Sequence, residues 1–165
     1  MQRPFKEQNK VPPKSLTVLH FLLQDIQVCM DLNYIEKVLP LPMLELVPSC
    51  PDYFVGLMNL KNKCIPVLDL AICTGLARNE QYSLNIPILL CSDGIHQIGL
   101  IVDKVLGLSD IDQQQIEVHE EFTNNNSPFF GAITLETSVS LLLDVNWIFA
   151  LKLAQEISKL GANHE

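Results

Sequence analysis

Short apolar runs alternate with clusters of turn-forming residues along most of the chain. Runs rich in Val, Ile, Leu and Phe occupy residues 15–23, 26–31, 54–60, 64–69, 86–91, 95–106, 129–135 and 139–143. Runs of this length, bounded by Gly, Pro, Asn and Asp, predict β-strands. Their shortness and close spacing favour small barrels or sandwiches over a parallel sheet. Two turns carry their own chemistry. Ser92-Asp93-Gly94 separates two runs, and Asp-Gly suits the positive φ angles of a type I′ hairpin turn. Lys61-Asn62-Lys63 separates another two, where Asn tolerates the left-handed conformation because its short side chain bonds locally. Asn124-Asn125-Asn126-Ser127-Pro128 has no apolar residue and reads as an exposed loop.

Helical signals are few. Residues 33–39 predict one or two turns, with Asn33 as N-cap, Glu36 completing a capping box and Pro40 as the stop. Residues 69–74 predict another turn, ended by Gly75. The strongest helical pattern follows Asp144, a natural N-cap. Trp147, Ala150, Leu151, Ala154, Ile157 and Leu160 recur at helical spacing before Gly161. Residues 1–14 carry Pro and Lys without apolar period and read as a flexible cytosolic arm. Residues 15–157 form one domain, and 158–165 a tail.

Composition narrows the partners. The chain has 165 residues, 11 Lys plus Arg against 19 Asp plus Glu, and a net charge of −8. No basic run exists beyond Lys61 and Lys63, so nucleic acid is not an expected ligand. The uninterrupted apolar runs are far shorter than the roughly 20 residues a helix needs to cross a bilayer, so direct membrane insertion is not expected either. Five cysteines without a C-x-x-C pair read as reduced thiols, and Cys91 and His96 lack a second ligand pair for zinc. The four histidines read as structural or surface residues: His20 and His96 within apolar strands, His119 beside Glu120 and Glu121, and His164 in the tail. Glu117, Glu120, Glu121, Asp110 and Asp112 read as a solvated acidic segment. Asp103 interrupts an apolar run, where a carboxylate must bond to backbone or point outward; a structural role at a strand bend is expected. G-x-S-x-G, P-loop, G-x-G-x-x-G and H-E-x-x-H motifs do not occur.

Residues 56–70, GLMNLKNKCIPVLDL, resemble the signature of CheW-like domains, G-x-x-N-L-R-G-x-x-(I/V)-P-(I/V)-(I/V/L)-D-L. Gly99-Leu100-Ile101-Val102-Asp103-Lys104-Val105 is similar to the family's G-(I/L)-(V/I)-V-D-x-V stretch. Tyr53-Phe54-Val55, Phe130-Gly131-Ala132-Ile133 and Leu141-Leu142-Leu143-Asp144 resemble further landmarks in the same order. The resemblance implies a mainly β fold: two small five-stranded SH3-like β-barrels on a shared core, with a C-terminal helix.

It also implies a non-catalytic adaptor that couples membrane chemoreceptors to a CheA-type histidine kinase, located in the cytoplasm at the inner face of the membrane through receptor arrays. The implied partners are the kinase's own CheW-like regulatory domain and the receptor's cytoplasmic tip; no cofactor or metal is implied. Ile35, Lys37 and Val38 match the family's kinase-facing segment. Gly56, Asn59, Lys61, Asn62, Gly99 and Asp103 belong to the motifs of the receptor and kinase interface. Lys61 stands for the family's Arg and Asn62 for its Gly, and Lys37 replaces an acid. Loss of the Arg fork weakens bidentate carboxylate binding, and a charge reversal changes partner choice. The departures fit a paralogue that serves a pilus-motility or other non-flagellar array. A more distant reading is a cysteine-dependent enzyme using Cys64 or Cys91.

Overall fold

The computed structural model describes residues 14–122 and 126–151. Eleven strands form two sheets. One has the order β8-β1-β2-β11-β10-β9, built from β1 Ser15–Leu23, β2 Ile26–Asp31, β8 Lys104–Asp112, β9 Ile116–Glu117, β10 Phe129–Thr134 and β11 Val139–Leu143. The other has the order β3-β6-β7-β5-β4, built from β3 Ile35–Pro40, β4 Phe54–Leu60, β5 Lys63–Asp69, β6 Pro87–Ser92 and β7 Gln97–Ile101. We call the first barrel 1 and the second barrel 2. Barrel 1 has six strands where five were expected, because β9 adds a two-residue pairing to β10.

The two barrels share one wiring plan. In barrel 2 the chain leaves β3, bridges β4 at Glu45–Leu57, and returns through the β4–β5 hairpin into the short helix α1, Leu70–Cys73. In barrel 1 it leaves β8, bridges β10 through β9, and returns through the β10–β11 hairpin into the helix α2, Val145–Phe149. Each hairpin then lies parallel to one further strand, β5 to β7 and β11 to β2. Residues match at a constant spacing of 75: Phe54 with Phe129, Gly56 with Gly131, and Asp69 with Asp144. Both Phe–Gly pairs carry a ladder irregularity. Both glycines sit where another strand crosses closely. A Cβ on Gly56 would lie 2.7 Å from the Glu45 carbonyl oxygen, and one on Gly131 2.5 Å from that of Glu117. Both aspartates cap the helix that follows: Asp69 accepts from the Ala71 and Ile72 N–H groups and Asp144 from that of Asn146.

Three apolar clusters follow from strand alternation. Val18, Cys29, Ile111, Ile133 and Leu142 fill barrel 1, and Met58, Ile65, Val67, Ile88, Leu90 and Ile101 fill barrel 2. The alternate residues Leu19, Phe21, Val28, Leu68, Leu89 and Leu100 meet in the shared core. Strands such as β1 and β6 are therefore buried on both faces, which is why they read as near-continuous apolar runs.

The structure reproduces most of the expected strands and differs at four places. Residues 33–39 are not helical: Asp31 caps a 3-10 turn over Leu32–Tyr34, and Ile35–Pro40 is a strand antiparallel to β6. Local capping chemistry there is outweighed by pairing with the apolar β6. Glu36 instead accepts a hydrogen bond from Gln97 Nε2 at 2.6 Å. The 95–106 run breaks at Val102-Asp103, where the chain passes from barrel 2 to barrel 1, and His96 lies in the hairpin loop rather than in a strand. The β6–β7 turn is a four-residue loop in which Gly94 alone has positive φ. Asp93 Oδ1 there accepts from the N–H groups of Ile95 and His96, so the turn is held by a side chain. The type I′ geometry appears at Lys61-Asn62 instead, with φ of 51° and 66° between Leu60 and Lys63. Asp110 and Asp112 lie on the strand β8, exposed as expected. The predicted arm and tail, the tip of the Asn-rich loop and the helix positions Ala154, Ile157, Leu160 and Gly161 lie outside the described residues. Among those described, no helix is long and apolar enough to cross a membrane.

Candidate functional site

The residues expected to contact partners fall into three groups, in barrel 2 and at its junction with barrel 1. Ile35, Lys37 and Val38 lie on β3, an edge strand of its sheet. Ile35 leans on the shared core, while Lys37 and Val38 are exposed. A register shift between Ile35 and Lys37 twists this edge, and such irregularity with a lysine protects an open edge from unwanted pairing. The same features leave a narrow apolar and basic strip exposed to solvent.

Asn59, Lys61 and Asn62 cluster at the exposed tip of the β4–β5 hairpin. β3 and β4 are opposite edges in the strand order, and the segment that follows β3 crosses to bridge β4. The chain runs from Val38 through Leu41, whose N–H bonds to the Ile86 carbonyl, to Glu45, which bridges Leu57 two residues before Asn59. Met43 and Leu46 stand on this seam at 95% and 82% exposure. No strand or helix period marks them in the sequence, because Pro42 and Pro48 interrupt it.

The third group does not reach the surface as a unit. Gly56 is buried under the Leu44-Glu45 crossing, and Gly99 is buried in the centre of the sheet, where a Cβ would lie 3.3 Å from Val67 Cγ2. Their part is to let backbones approach. Asp103 is engaged internally. Its carboxylate accepts from Arg78 Nη1 at 3.0 Å, Arg78 Nη2 at 3.2 Å and the Gln24 N–H at 2.8 Å, and its own N–H bonds to the Leu22 carbonyl. This bears out a structural role at a bend.

Arg78 has no motif around it in the sequence, where it stands alone in a polar loop. Its guanidinium also reaches the fully buried Asp69, with Nε 2.5 Å from Oδ2, and lies over the Tyr82 ring at 5.1 Å. Tyr82 donates its hydroxyl to Asp69 Oδ2 at 2.8 Å. Burial opposes the charge on Arg78, but bonds to Asp103 and Asp69 outweigh it and hold the side chain cationic. Burial likewise works against ionised Asp103, and the Arg78 and Gln24 bonds hold its carboxyl below the usual range. The clamp ties the loop after α1 and the barrel 2 junction to the β1–β2 turn of barrel 1.

Three of the cysteines and His20 are shaped mainly by burial. Burial pushes the Cys29 thiol up to about 11 and those of Cys73 and Cys91 further still, which keeps them protonated at neutral pH. His20 is buried in barrel 1 between Ser140 Oγ, 3.0 Å from Nδ1, and Ser109 Oγ, 2.6 Å from Nε2. It is a satisfied core histidine whose pKa burial lowers.

Comparisons with known proteins agree with this architecture. The CheW-like domain profile matches residues 17–152. Curated relatives include a chemotaxis protein CheW from Thermotoga maritima, 26% identical over 82% of this chain and 88% of its own length. Another, from Klebsiella aerogenes, is 20% identical over 88% of this chain and 89% of its own. The crystal structure of the scaffolding protein TtCheW from Thermoanaerobacter tengcongensis superposes with a TM-score of 0.72 at 24% identity. It covers 86% of this chain and 95% of its own, and shows the same fold of two SH3-like barrels.

Proposed function

This chain belongs to the CheW-like domain family, and from that premise we propose that it is a non-catalytic adaptor coupling chemoreceptors to a CheA-type histidine kinase in chemotaxis. The observation that carries the reading is the family match across nearly the whole described fold, with relatives named as chemotaxis protein CheW. On this reading the protein works in the cytoplasm at receptor arrays on the inner face of the membrane. Ile35, Lys37 and Val38 on the β3 edge meet the kinase's regulatory domain. Asn59, Lys61 and Asn62 at the hairpin tip, with Met43 and Leu46 on the adjoining seam, meet the receptor tip or the kinase. Gly56, Gly99 and Asp103 hold that surface in shape. Contacts of this kind usually bury about 1,200–2,000 Å² in all.

The test is capture of a CheA-type regulatory domain by the full-length chain. Val38→Asp places a charge on an exposed strip without entering the core, and is expected to weaken capture strongly while the fold persists; Ile35→Asp is expected to abolish it. Absence of any capture by the unmodified chain refutes the reading. The paralogue in a pilus-motility or other non-flagellar array is favoured by Lys37, Lys61 and Asn62. Exchanging them for Glu, Arg and Gly is then expected to shift preference between kinases, and an unchanged preference removes that variant.

A further inference from the structure

The two barrels fill corresponding interior positions with different chemistry. By the registers of their ladders, His20, Ser109 and Ser140 of barrel 1 stand where Leu90, Leu39 and Ile65 stand in barrel 2. Those three aliphatic residues pack into the barrel 2 core. Barrel 1 holds a polar chain in the same places. Ser140 Oγ lies 3.0 Å from His20 Nδ1 and Ser109 Oγ 2.6 Å from Nε2, while Gln27 Nε2 is 3.4 Å from Nδ1. An amide donor at Nδ1 makes that nitrogen the acceptor, so the neutral ring carries its proton on Nε2 and donates to Ser109. A second proton must enter at Nδ1, against the Gln27 amide and in an interior that supplies no counter-charge among the described residues. β10 and β11 carry no titratable residue, and β1 carries none besides His20. β2 contributes Cys29, which bonds to Ser140, and Asp31, whose carboxylate caps the Leu32–Tyr34 turn. Lys104, Asp110 and Asp112 on β8 and Glu117 on β9 are exposed, and Asp110 accepts from the Thr17 hydroxyl.

The strand with least to hold it is β8. It is an edge strand beside β1, Ile111 is the one buried residue of its nine, and Leu106 and Leu108 are 44% and 58% exposed. The β1–β8 register shifts between His20 and Phe21, so the ladder is interrupted beside the ring. Barrel 2 has the same irregularity at the corresponding edge, between Ile35 and Lys37 of β3, with Leu90 in the place of His20. We propose that His20 is a proton-sensitive lock on barrel 1: the neutral ring ties β8 to β11 through Ser109 and Ser140, and its protonation releases the β8 edge while barrel 2 stays closed. Release lets water reach the charged ring for the loss of one serine bond and an already broken ladder. Opening β2 or β11 instead would break pairing on both of their sides.

Amide hydrogen exchange of the full chain at pH 7.5 and 5.5, corrected for intrinsic exchange, tests this. Protection of the β1–β8 ladder is expected to fall at pH 5.5 by up to about tenfold, the ceiling for one proton taken up one pH unit below the ordinary 6.5. The β3–β6 ladder, the corresponding edge of barrel 2, is expected to keep its protection. His20→Gln retains hydrogen bonding without titrating and is expected to make β8 protection the same at both pH values. Should that variant fail to fold, the ring resonances of His20 in the unmodified chain still decide, since they are expected to show it neutral at pH 5.5. An NMR titration midpoint at or above 6.5 overturns the lock, as does unchanged β8 protection at pH 5.5 or a pH response that survives in His20→Gln. Equal losses in the β1–β8 and β3–β6 ladders mean that the whole fold opens together and overturn release of the β8 edge.

Discussion

Replacing Arg78 by Met tests the clamp between the barrels most directly. Met keeps much of the side chain's length and apolar contact but removes all four bonds to Asp69 and Asp103. Asp69 is fully buried, and removing one partner of a buried pair costs about 3–5 kcal/mol because a charge is left uncompensated. Three donors stay with Asp69: the Ala71 N–H at 3.1 Å, the Ile72 N–H at 3.4 Å and the Tyr82 hydroxyl at 2.8 Å. They place the cost near the lower end, about 3 kcal/mol, which is still a large share of the roughly 5–15 kcal/mol that holds a domain together. In urea denaturation, a slope of about 2 kcal/mol per molar turns this into a midpoint lowered by about 1.5 M. Arg78→Lys should recover only part of the loss, since an ammonium cannot bond both carboxylates in the same fork. Asp103→Asn should cost less, about 1 kcal/mol, because that side chain is 25% exposed and keeps the Gln24 bond. A midpoint for Arg78→Met within about 0.3 M of the unmodified protein, with an unchanged slope, would refute the claim that the buried carboxylate depends on it.

Two further outcomes follow from the same geometry. Gly56→Ala puts a methyl 2.7 Å from the Glu45 backbone oxygen and should destabilise by about 1–3 kcal/mol. Gly107→Ala, with nothing within 4 Å, serves as the neutral control, and equal thermal shifts for the two would contradict the close-crossing account. His20 resists protonation when folded but takes up a proton near its ordinary 6.5 when unfolded. The unfolded state thus binds more protons as pH falls below about 6.5, and stability declines from there towards the lower folded pKa. Urea midpoints at pH 7.5 and 5.5 should therefore differ more in the unmodified protein than in His20→Gln, and identical differences would refute this role for the histidine.

Much of the framework was legible along the chain because it depends on neighbours. The runs at 15–23, 26–31, 54–60 and 139–143 coincide with strands, since β-branched and aliphatic stretches bounded by turn residues have few other ways to bury themselves. Asp69 and Asp144 act as the expected caps because capping is decided within three residues. The ordered motifs also identified the family. By contrast, residues 33–39 carried a helical cap and stop yet form β3, because β6 offers a ladder that local capping cannot match. The recurrence of Phe, Gly and Asp 75 residues apart is not conspicuous in the sequence, where three residues amid aliphatic strands carry little signal. It becomes evident only when both glycines are seen beneath crossing strands.

The candidate site divides in the same way. Lys61 and Asn62 could be placed at a hairpin tip from their conformational tolerance alone, whereas Gly56, Gly99 and Asp103, which share their motifs, turn out to face inward. Strand periodicity, turn chemistry and capping were written in the sequence, because each is set by contacts a few residues apart. The joining of β3 to β4 across the Met43–Leu46 seam and the seat of Arg78 between two carboxylates 34 positions apart were decided by the tertiary structure. Each depends on which distant segments the closure of two barrels brings within bonding distance, and no local pattern along the chain encodes that.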